Sequence, residues 1–548
     1  MNDADLSGLA ELSPFELKNR LIALARSHGD RMMLNAGRGN PNFLAALPRH
    51  AFFQLGVFAV GEAEACAADL PYGIAGVPSA CGIAGRLDAF LHARPEAPGI
   101  PFLAAALSYV HQDLGFAGDA FVHELAQAIL GCQYPEPVRM LPFCEKIVRR
   151  YLEKEMSGDR PVAGRIDLFA VEGATAGITY VFNTLRANGV LAAGDTIAIG
   201  TPIFTPYIEI PLLSDYRLVE LPIAADEAAG WQYQEPELDK LLDPRVKAFL
   251  LVNPGNPTAV KIDLGRLQHI TGIVARRPDL IILSDDVYGA FADDFVSLVA
   301  LCPHNTILIY SFSKYFGCTG WRLGLVAAHA ENVVDATIAA LPEHRRGEID
   351  ARYASLVLDP RRLKFIDRLA ADSRAVALNH TAGLSTPQQV QMALFALAGL
   401  MDVEDRGKSA MKRLIRRRCR TLWQGLGVPT PEDANATGYY AILDLEVLGT
   451  QLYGRDFAQW LLRTKDPLEI LLRLAEESGV VLLPGKGFAT PHPSARVSLA
   501  NLHERDYARI GPAIRTLLAA YFEEYRGGAA AAGERREQPS AAVRSPCQ

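Results

Sequence analysis

The stretch Ser311-Phe312-Ser313-Lys314-Tyr315-Phe316-Gly317-Cys318-Thr319-Gly320-Trp321-Arg322-Leu323-Gly324 decides the fold. It follows Thr306 to Ile309, a short apolar and β-branched run that reads as a buried strand, so Lys314 stands where strand gives way to loop. In α/β folds that is where reacting groups gather. An amine kept neutral there can form an imine with an aldehyde. Ser311 and Ser313 precede Lys314 and Arg322 follows eight residues after it, a set that suits a lysine-bound aldehyde cofactor carrying a dianionic phosphate. Taken alone, the stretch reads equally well as a surface lysine among turn residues.

Three further strand-to-loop junctions remove that ambiguity. Ile166 to Val171 reads as a strand that enters Glu172-Gly173-Ala174-Thr175-Ala176-Gly177, a small-residue loop opening a helix, where backbone N–H groups suit a phosphate. Ala248 to Val252 leads to Asn253-Pro254-Gly255-Asn256-Pro257-Thr258, and Leu280 to Leu283 leads to Ser284-Asp285-Asp286-Val287-Tyr288. A fourth strand, Thr196 to Gly200, ends in Thr201-Pro202-Ile203-Phe204. The motifs Asn-Pro-x-Asn-Pro-Thr, Asp-x-x-Tyr and Ser-x-x-Lys with its arginine, each after a strand and in this order, form a specific joint signal. The ensemble resembles the fold-type I aminotransferases that depend on pyridoxal 5'-phosphate, and more closely the bacterial aspartate 4-decarboxylases, over roughly residues 13 to 525.

That resemblance implies an α/β protein with a mostly parallel central sheet in a large cofactor-binding domain, plus a smaller α/β domain. It implies that Lys314 carries the cofactor and acts as general base. Gly173, Ala174, Thr175, Ser311, Ser313 and Arg322 are expected around the phosphate, Phe204 against the pyridine ring, and Asn256 and Tyr288 at the phenolic oxygen. Asp285 is expected to hold the ring nitrogen protonated, which makes the ring an electron sink. Tyr134, 39 residues before Gly173, is expected to reach the neighbouring subunit's cofactor phosphate; Tyr72 competes on local sequence but fits the family's spacing less well. Arg496, in Ser494-Ala495-Arg496-Val497-Ser498, is expected to bind the substrate's α-carboxylate with Asn256 nearby.

The chain departs from the aminotransferase pattern in three places. The loop Asn35-Ala36-Gly37-Arg38-Gly39-Asn40-Pro41 carries Arg38 where an aliphatic residue is usual. Lys18 interrupts the apolar face of a helix expected from Pro14 to about Ala25, opened by a capping box at Ser13. Thr381 stands where aspartate aminotransferase has the arginine that clamps the distal carboxylate in the partner's site. The departures and the resemblance imply β-decarboxylation of L-aspartate to L-alanine and CO2 through a ketimine and an enamine, with side aspartate aminotransferase activity. Arg38, assisted by Lys18, is expected at the substrate's β-carboxylate. The alternative is an aminotransferase for aspartate or another dicarboxylic amino acid. An aminotransferase-like regulator is a further alternative, against which the acidic N-terminus and the lack of a basic helix-turn-helix count.

Composition agrees with an ordinary globular enzyme: 548 residues, 49% hydrophobic and 21% charged, with net charge −7. That balance argues against nucleic acid or anionic lipid as partners, and no apolar run is long enough to span a bilayer. Eight scattered cysteines without a Cys-x-x-Cys pair suggest reduced thiols, no structural metal and a cytoplasmic setting. The sequence divides into an N-terminal arm (1–49), a helical insertion and interface segment (50–150), the large domain (151–383), a small C-terminal domain (384–525) and a disordered tail (526–548). Residues 341–381 also exceed the aminotransferase core. A homodimer at least is expected, and a dodecamer built from dimers. Asp286, Asp293 and Asp294 read as solvated loop carboxylates, and the basic run Lys412 to Arg420 as one helix face.

Overall fold

The computed structural model describes residues 14–27, 32–67, 71, 73–158, 160, 162–213, 215–376, 378–379 and 383–537. The chain forms two compact units. One comprises Met1–Gly39, Leu414–Glu432 and Tyr440–Gln548; the other comprises Asn40–Arg413 and Asp433–Tyr439.

The larger unit is built on a sheet whose strands lie in the spatial order Ile166–Val171, Gly324–His329, Thr306–Ser311, Ile281–Asp285, Val246–Val252, Thr196–Thr201, Val219–Asp226 and Gln232–Tyr233. The five strands from Thr306–Ser311 to Val219–Asp226 run parallel, and antiparallel pairings flank them on both sides. The mostly parallel sheet is therefore present with mixed edges. Ile166–Val171, Ile281–Asp285, Thr306–Ser311 and Gly324–His329 are buried at every residue, as the largely apolar strands of a sheet covered on both faces are. Helix Leu264–Arg276 covers part of one face with Leu267, Ile270 and Ile273, and Asp263 caps its start by accepting from Arg266 N–H at 2.9 Å. The Ile281–Asp285 strand runs two residues past the expected Leu283, because its ladder to Val252 and Ile309 continues through Asp285.

The insertion near 44–133 is helical, as expected, with helices Ala46–Ala65, Ile83–His92, Ile100–Gln112 and Gly118–Leu130. The surplus at 341–381 forms helices Glu343–Tyr353 and Phe365–Ser373 around a 3-10 turn at Pro360–Arg362. Tyr353 and Arg368 tie it to Asn188, at the end of helix Ala174–Ala187.

Helix Thr386–Met401 contacts helices Pro142–Ser157 and Ala46–Ala65 in the larger unit. The expected start of the small domain at 384 is therefore too early. The helix is apolar nearly all round, and such a helix belongs in a core.

In the smaller unit, strands Tyr440–Asp444, Ser494–Ser498 and Leu483–Pro484 form an antiparallel sheet, and Leu34–Asn35 pairs parallel with Val480–Val481. The first unit boundary falls at Gly39, not 49. Helix Pro14–Ser27 matches the expected one, although Ser13 lies outside the described residues. The terminal helix runs from Glu504 to Glu537. It enters the segment expected as a tail from 526, whose alanine run 529–532 has high helix propensity. Residues 538–548 lie outside the described residues.

Candidate active site

Three adjacent strand ends of the larger sheet carry the expected groups to one edge. Asp285 is the last residue of its strand, with Val252 and Ile309 as its neighbours in register. Asn256 follows the first of those neighbouring strands by four residues, and Lys314 follows the second by three. The parallel sheet thus places Asn256, Asp285 and Lys314 side by side beyond its carboxyl ends. Asn256, Asp285 and Tyr288 are buried, while Lys314 keeps partial access to solvent.

Asp285 shows what kind of group that edge is made for. Its carboxylate accepts from the Tyr207 hydroxyl at 2.6 Å and from the Val287 N–H at 3.1 Å. Burial raises its pKa to about 6, against the pull of the Tyr207 hydroxyl, the Val287 N–H and the charge of Lys314. A buried carboxylate so placed calls for a cationic partner, which a protonated pyridine nitrogen provides. Tyr207 escaped the sequence reading. It lies three residues after Phe204, on helix Thr205–Leu212, with the two rings edge-on and 5.6 Å apart between centroids. The only available signal was the spacing Phe-x-x-Tyr at a helix start, which puts both rings on one side.

The expected phosphate end is equally specific. The Ser311 and Ser313 hydroxyls are hydrogen-bonded at 2.8 Å, and the Ser313 N–H donates to Ser311 Oγ at 3.2 Å. Arg322 donates to the carbonyls of Thr319 at 2.8 Å and Glu172 at 3.1 Å, which occupies two of its five N–H groups. Arg322 adopts φ 56°, a left-handed conformation that costs a non-glycine residue energy and tends to persist at functional sites. Gly173 has φ +96°, and a Cβ there would collide with the Arg322 guanidinium. Val171 pairs with Gly324, which brings the Gly173 loop and the helix opening at Ala174 beside the arginine. Gly324 pairs with both Val171 and Ser311, so backbone N–H groups, two hydroxyls and a guanidinium are brought to one strand end, a donor set that fits the phosphate of pyridoxal phosphate.

Asp286 requires a correction. It is fully buried, not solvated, and it accepts hydrogen bonds from Ser284 Oγ at 2.5 Å and from Ser297 Oγ. Burial raises its pKa to about 7, so it acts as a structural acid beneath the site. Among the described residues no group of acidic, histidine or cysteine side chains is arranged to hold a metal.

The smaller unit holds the other candidates. Arg496 is buried on its strand, stacked on Tyr440 and Phe488 with the guanidinium carbon 4.3 and 4.5 Å from their ring centroids. It donates to the carbonyl of Gly37 at 2.7 Å. Ser498 N–H donates to the Ala36 carbonyl at 2.7 Å, and Asn501 donates to the Asn35 carbonyl at 2.6 Å. These bonds hold the Asn35–Gly37 backbone against the Arg496 strand. They bring the exposed Arg38 next in chain to the residue that Arg496 grips. Lys18 lies on helix Pro14–Ser27, and Thr381 and Tyr72 lie outside the described residues. Tyr134 is 74% exposed, and Phe204 is partly buried.

Residues 163–514 match the family model of class I and II aminotransferases. Over 523 residues the chain is 54% identical to a protein of Pseudomonas sp. named bifunctional aspartate aminotransferase and L-aspartate beta-decarboxylase, covering 95% of this chain and 98% of that one. A shorter stretch of 157 residues is 27% identical to an aspartate/prephenate aminotransferase of Nitrosomonas europaea, covering 28% of this chain and 38% of that one. Among solved structures, an aspartate aminotransferase of Thermus thermophilus superposes with TM-score 0.58 at 16% identity, over 92% of this chain and 97% of the other. One from Rhizobium meliloti gives 0.57 at 17%, over 93% and 96%.

Proposed function

This chain belongs to the class I and II aminotransferases, and from that premise we propose that it removes CO2 from L-aspartate to release L-alanine, with aspartate aminotransferase activity alongside. The observation that carries this reading is 54% identity, over 95% of the chain, to a protein whose name joins those two activities. Pyridoxal phosphate is the cofactor; when bound, it supplies an electron-accepting ring conjugated with the substrate's Cα.

Lys314 holds the cofactor and its Nζ takes the proton from the substrate's Cα. Asp285 fixes the proton on the ring nitrogen, and the Tyr207 hydroxyl keeps that carboxylate charged and oriented. Arg322, the Ser311 and Ser313 hydroxyls and the backbone from Gly173 through Ala174 to Thr175 bind the phosphate. Phe204 would stack on the ring, and Asn256 and Tyr288 would hold the phenolic oxygen. Arg496 binds the α-carboxylate, a task for which a planar guanidinium held between two aromatic rings is already oriented.

Decarboxylation and transamination part at the β-carboxylate. A bidentate clamp there would stabilise the charged group and oppose its departure as neutral CO2. Position 381 is threonine, so Arg38, assisted by Lys18, orients the β-carboxylate or donates a proton at that end of the substrate. The Asn35–Gly37 backbone bonds support this role by fixing the loop that carries Arg38.

The assembly is a homodimer at least, and in its fullest form a dodecamer built from dimers. The exposed Tyr134 ring suits a partner's cofactor site, and Phe53, Val57 and Val60 leave one face of helix Ala46–Ala65 apolar and exposed, as a subunit contact requires. The setting is the cytoplasm; among the described residues no helix is long and apolar enough to cross a membrane.

The test is to incubate the holoenzyme with L-aspartate, with and without a 2-oxo acid, and to measure CO2, alanine and oxaloacetate. Alanine and CO2 formed in equal amounts, in excess of oxaloacetate, are expected. Oxaloacetate without CO2 would establish the aminotransferase reading instead.

A further inference from the structure

The segment at 341–381, which the aminotransferase chemistry does not use, encloses a cavity of about 470 Å³. That volume is within the range of small-ligand pockets. Its lining includes the cationic side chains Arg346, Arg361, Arg362, Lys364 and Arg368, against the carboxylates Asp335 and Asp350. Ile338 and Ile349, both buried, give it an apolar wall.

The cations differ in how far they are already satisfied. Arg361 donates to Asp350 at 2.8 Å and to Glu343. Arg368, 2% exposed, donates to the carbonyls of Leu363 and Pro360 and to the Asn188 side chain. Both are structural. Arg346 is different: one terminal nitrogen donates to Glu343 at 2.6 Å, while its Nε is buried with no hydrogen-bond partner. A buried donor left unmade is costly, and an arriving acceptor would remove that cost. The exposed side chains of Arg362 and Lys364 make no hydrogen bond or ion pair with any described residue. Asp335 accepts from the Phe365 N–H at 2.7 Å and opposes Lys364 and Arg368 electrostatically, which leaves the lining with five cations against two carboxylates. Positive charge therefore exceeds negative in a concave, partly apolar space, and the surplus lies on Arg346, Arg362 and Lys364.

We propose that this cavity is a second ligand site, separate from the catalytic one, which binds a small multivalent oxyanion through Arg346, Arg362 and Lys364. Guanidinium forks match carboxylate and phosphate alike, so the shared chemistry is a compact group of two or more negative charges, with an apolar body resting on Ile338 and Ile349.

The test is calorimetric titration of the holoenzyme, in which the cofactor already fills its own phosphate site, with citrate and with inorganic phosphate in separate arms at constant ionic strength. Saturable binding is expected, weakened about tenfold or more in Arg362→Ala/Lys364→Ala, with KM for aspartate unchanged. Both substitutions fall on exposed side chains, so the fold is not at risk. Binding of citrate alone assigns a polycarboxylate ligand, and binding of phosphate alone assigns a phosphate ester; either supports the site. An Arg496→Lys enzyme separates it from the substrate pocket, since binding through the cavity survives that change. No saturable binding of either anion, or equal affinity in the double variant, or loss only in Arg496→Lys, overturns the proposal.

Discussion

Asn256, Asp285 and Lys314 lie within a few residues of three adjacent strand ends in one buried sheet, whereas Arg38 is tied to the Arg496 strand through its neighbour Gly37, across a hydrogen bond that joins residues 459 apart in sequence. The first arrangement is fixed by strand register, which cannot slip without turning every buried side chain to the wrong face. The second is fixed by a few backbone bonds between a loop and a short strand, on which single side chains can change at little cost to the fold. The chemistry common to transamination and decarboxylation is thus placed in the part of the molecule that tolerates least. On the role proposed for Arg38, the choice between the two outcomes is left to the part that tolerates most.

The largest effect should come from the rigid side of that contrast. Lys314→Ala should lower CO2 and oxaloacetate formation together, by on the order of 10³-fold or more, because it removes both the cofactor's anchor and the general base. If CO2 release survives while transamination is lost, the two reactions do not share a base, and the contrast fails. Next, Arg496→Lys keeps the charge but loses the planar fork and its stacking between Tyr440 and Phe488. A charge-assisted hydrogen bond contributes about 1.5–3 kcal/mol, so KM for aspartate should rise roughly 10- to 100-fold. The product ratio should stay as it is, since the α-carboxylate is common to both paths. Steady-state kinetics with both products measured checks each variant.

The cofactor end was legible because its signals are local. Ile307–Tyr310 and Ala248–Val252 are uninterrupted apolar runs, and each motif follows its strand closely. The strands Val219–Asp226 and Gly324–His329 were not anticipated. The first is near an edge, alternates exposed with buried residues and contains Pro222; the second, Gly-Leu-Val-Ala-Ala-His, has small residues that suit helix and strand alike. Tyr207 was missed, and Asp286 misread as solvated, for a different reason. Their roles depend on burial and on partners distant in sequence, Asp285 for the one and Ser297 in part for the other, and no periodicity reports those. Arg38 was visible only as a departure from a known pattern.

The third test bears on the tolerant side. Arg38→Ala should leave the sheet-borne machinery whole and change the partition between products: the ratio of alanine to oxaloacetate should fall about tenfold, the order of one charge-assisted contact. Transamination should change less than decarboxylation, and the KM for aspartate should rise. A variant that decarboxylates at the wild-type rate would remove Arg38 from the mechanism and return the partition to some residue of the larger unit.

The smallest effect sharpens the comparison most, because it asks whether the rigid end is tuned as well as placed. Tyr207 donates to Asp285 Oδ2 at 2.6 Å, and that bond favours the charged carboxylate against the burial that raises it to about 6. Tyr207→Phe keeps the ring beside Phe204 and removes only the hydroxyl. The Asp285 pKa should then move further up, so at a given acidic pH a smaller fraction is ionised and able to hold the ring nitrogen's proton. The acid limb of kcat/KM should shift to higher pH by about one to two units, the equivalent of the about 1.5–3 kcal/mol that a hydrogen bond to a charged group contributes. Well above that limb both carboxylates are ionised, and the variant should come within about threefold of the parent, the residue of a lost orienting contact. A limb that stays in place while activity falls uniformly would mean that Tyr207 positions the ring by packing alone, and that Asp285 draws its charge from the bound cation without help from its neighbour.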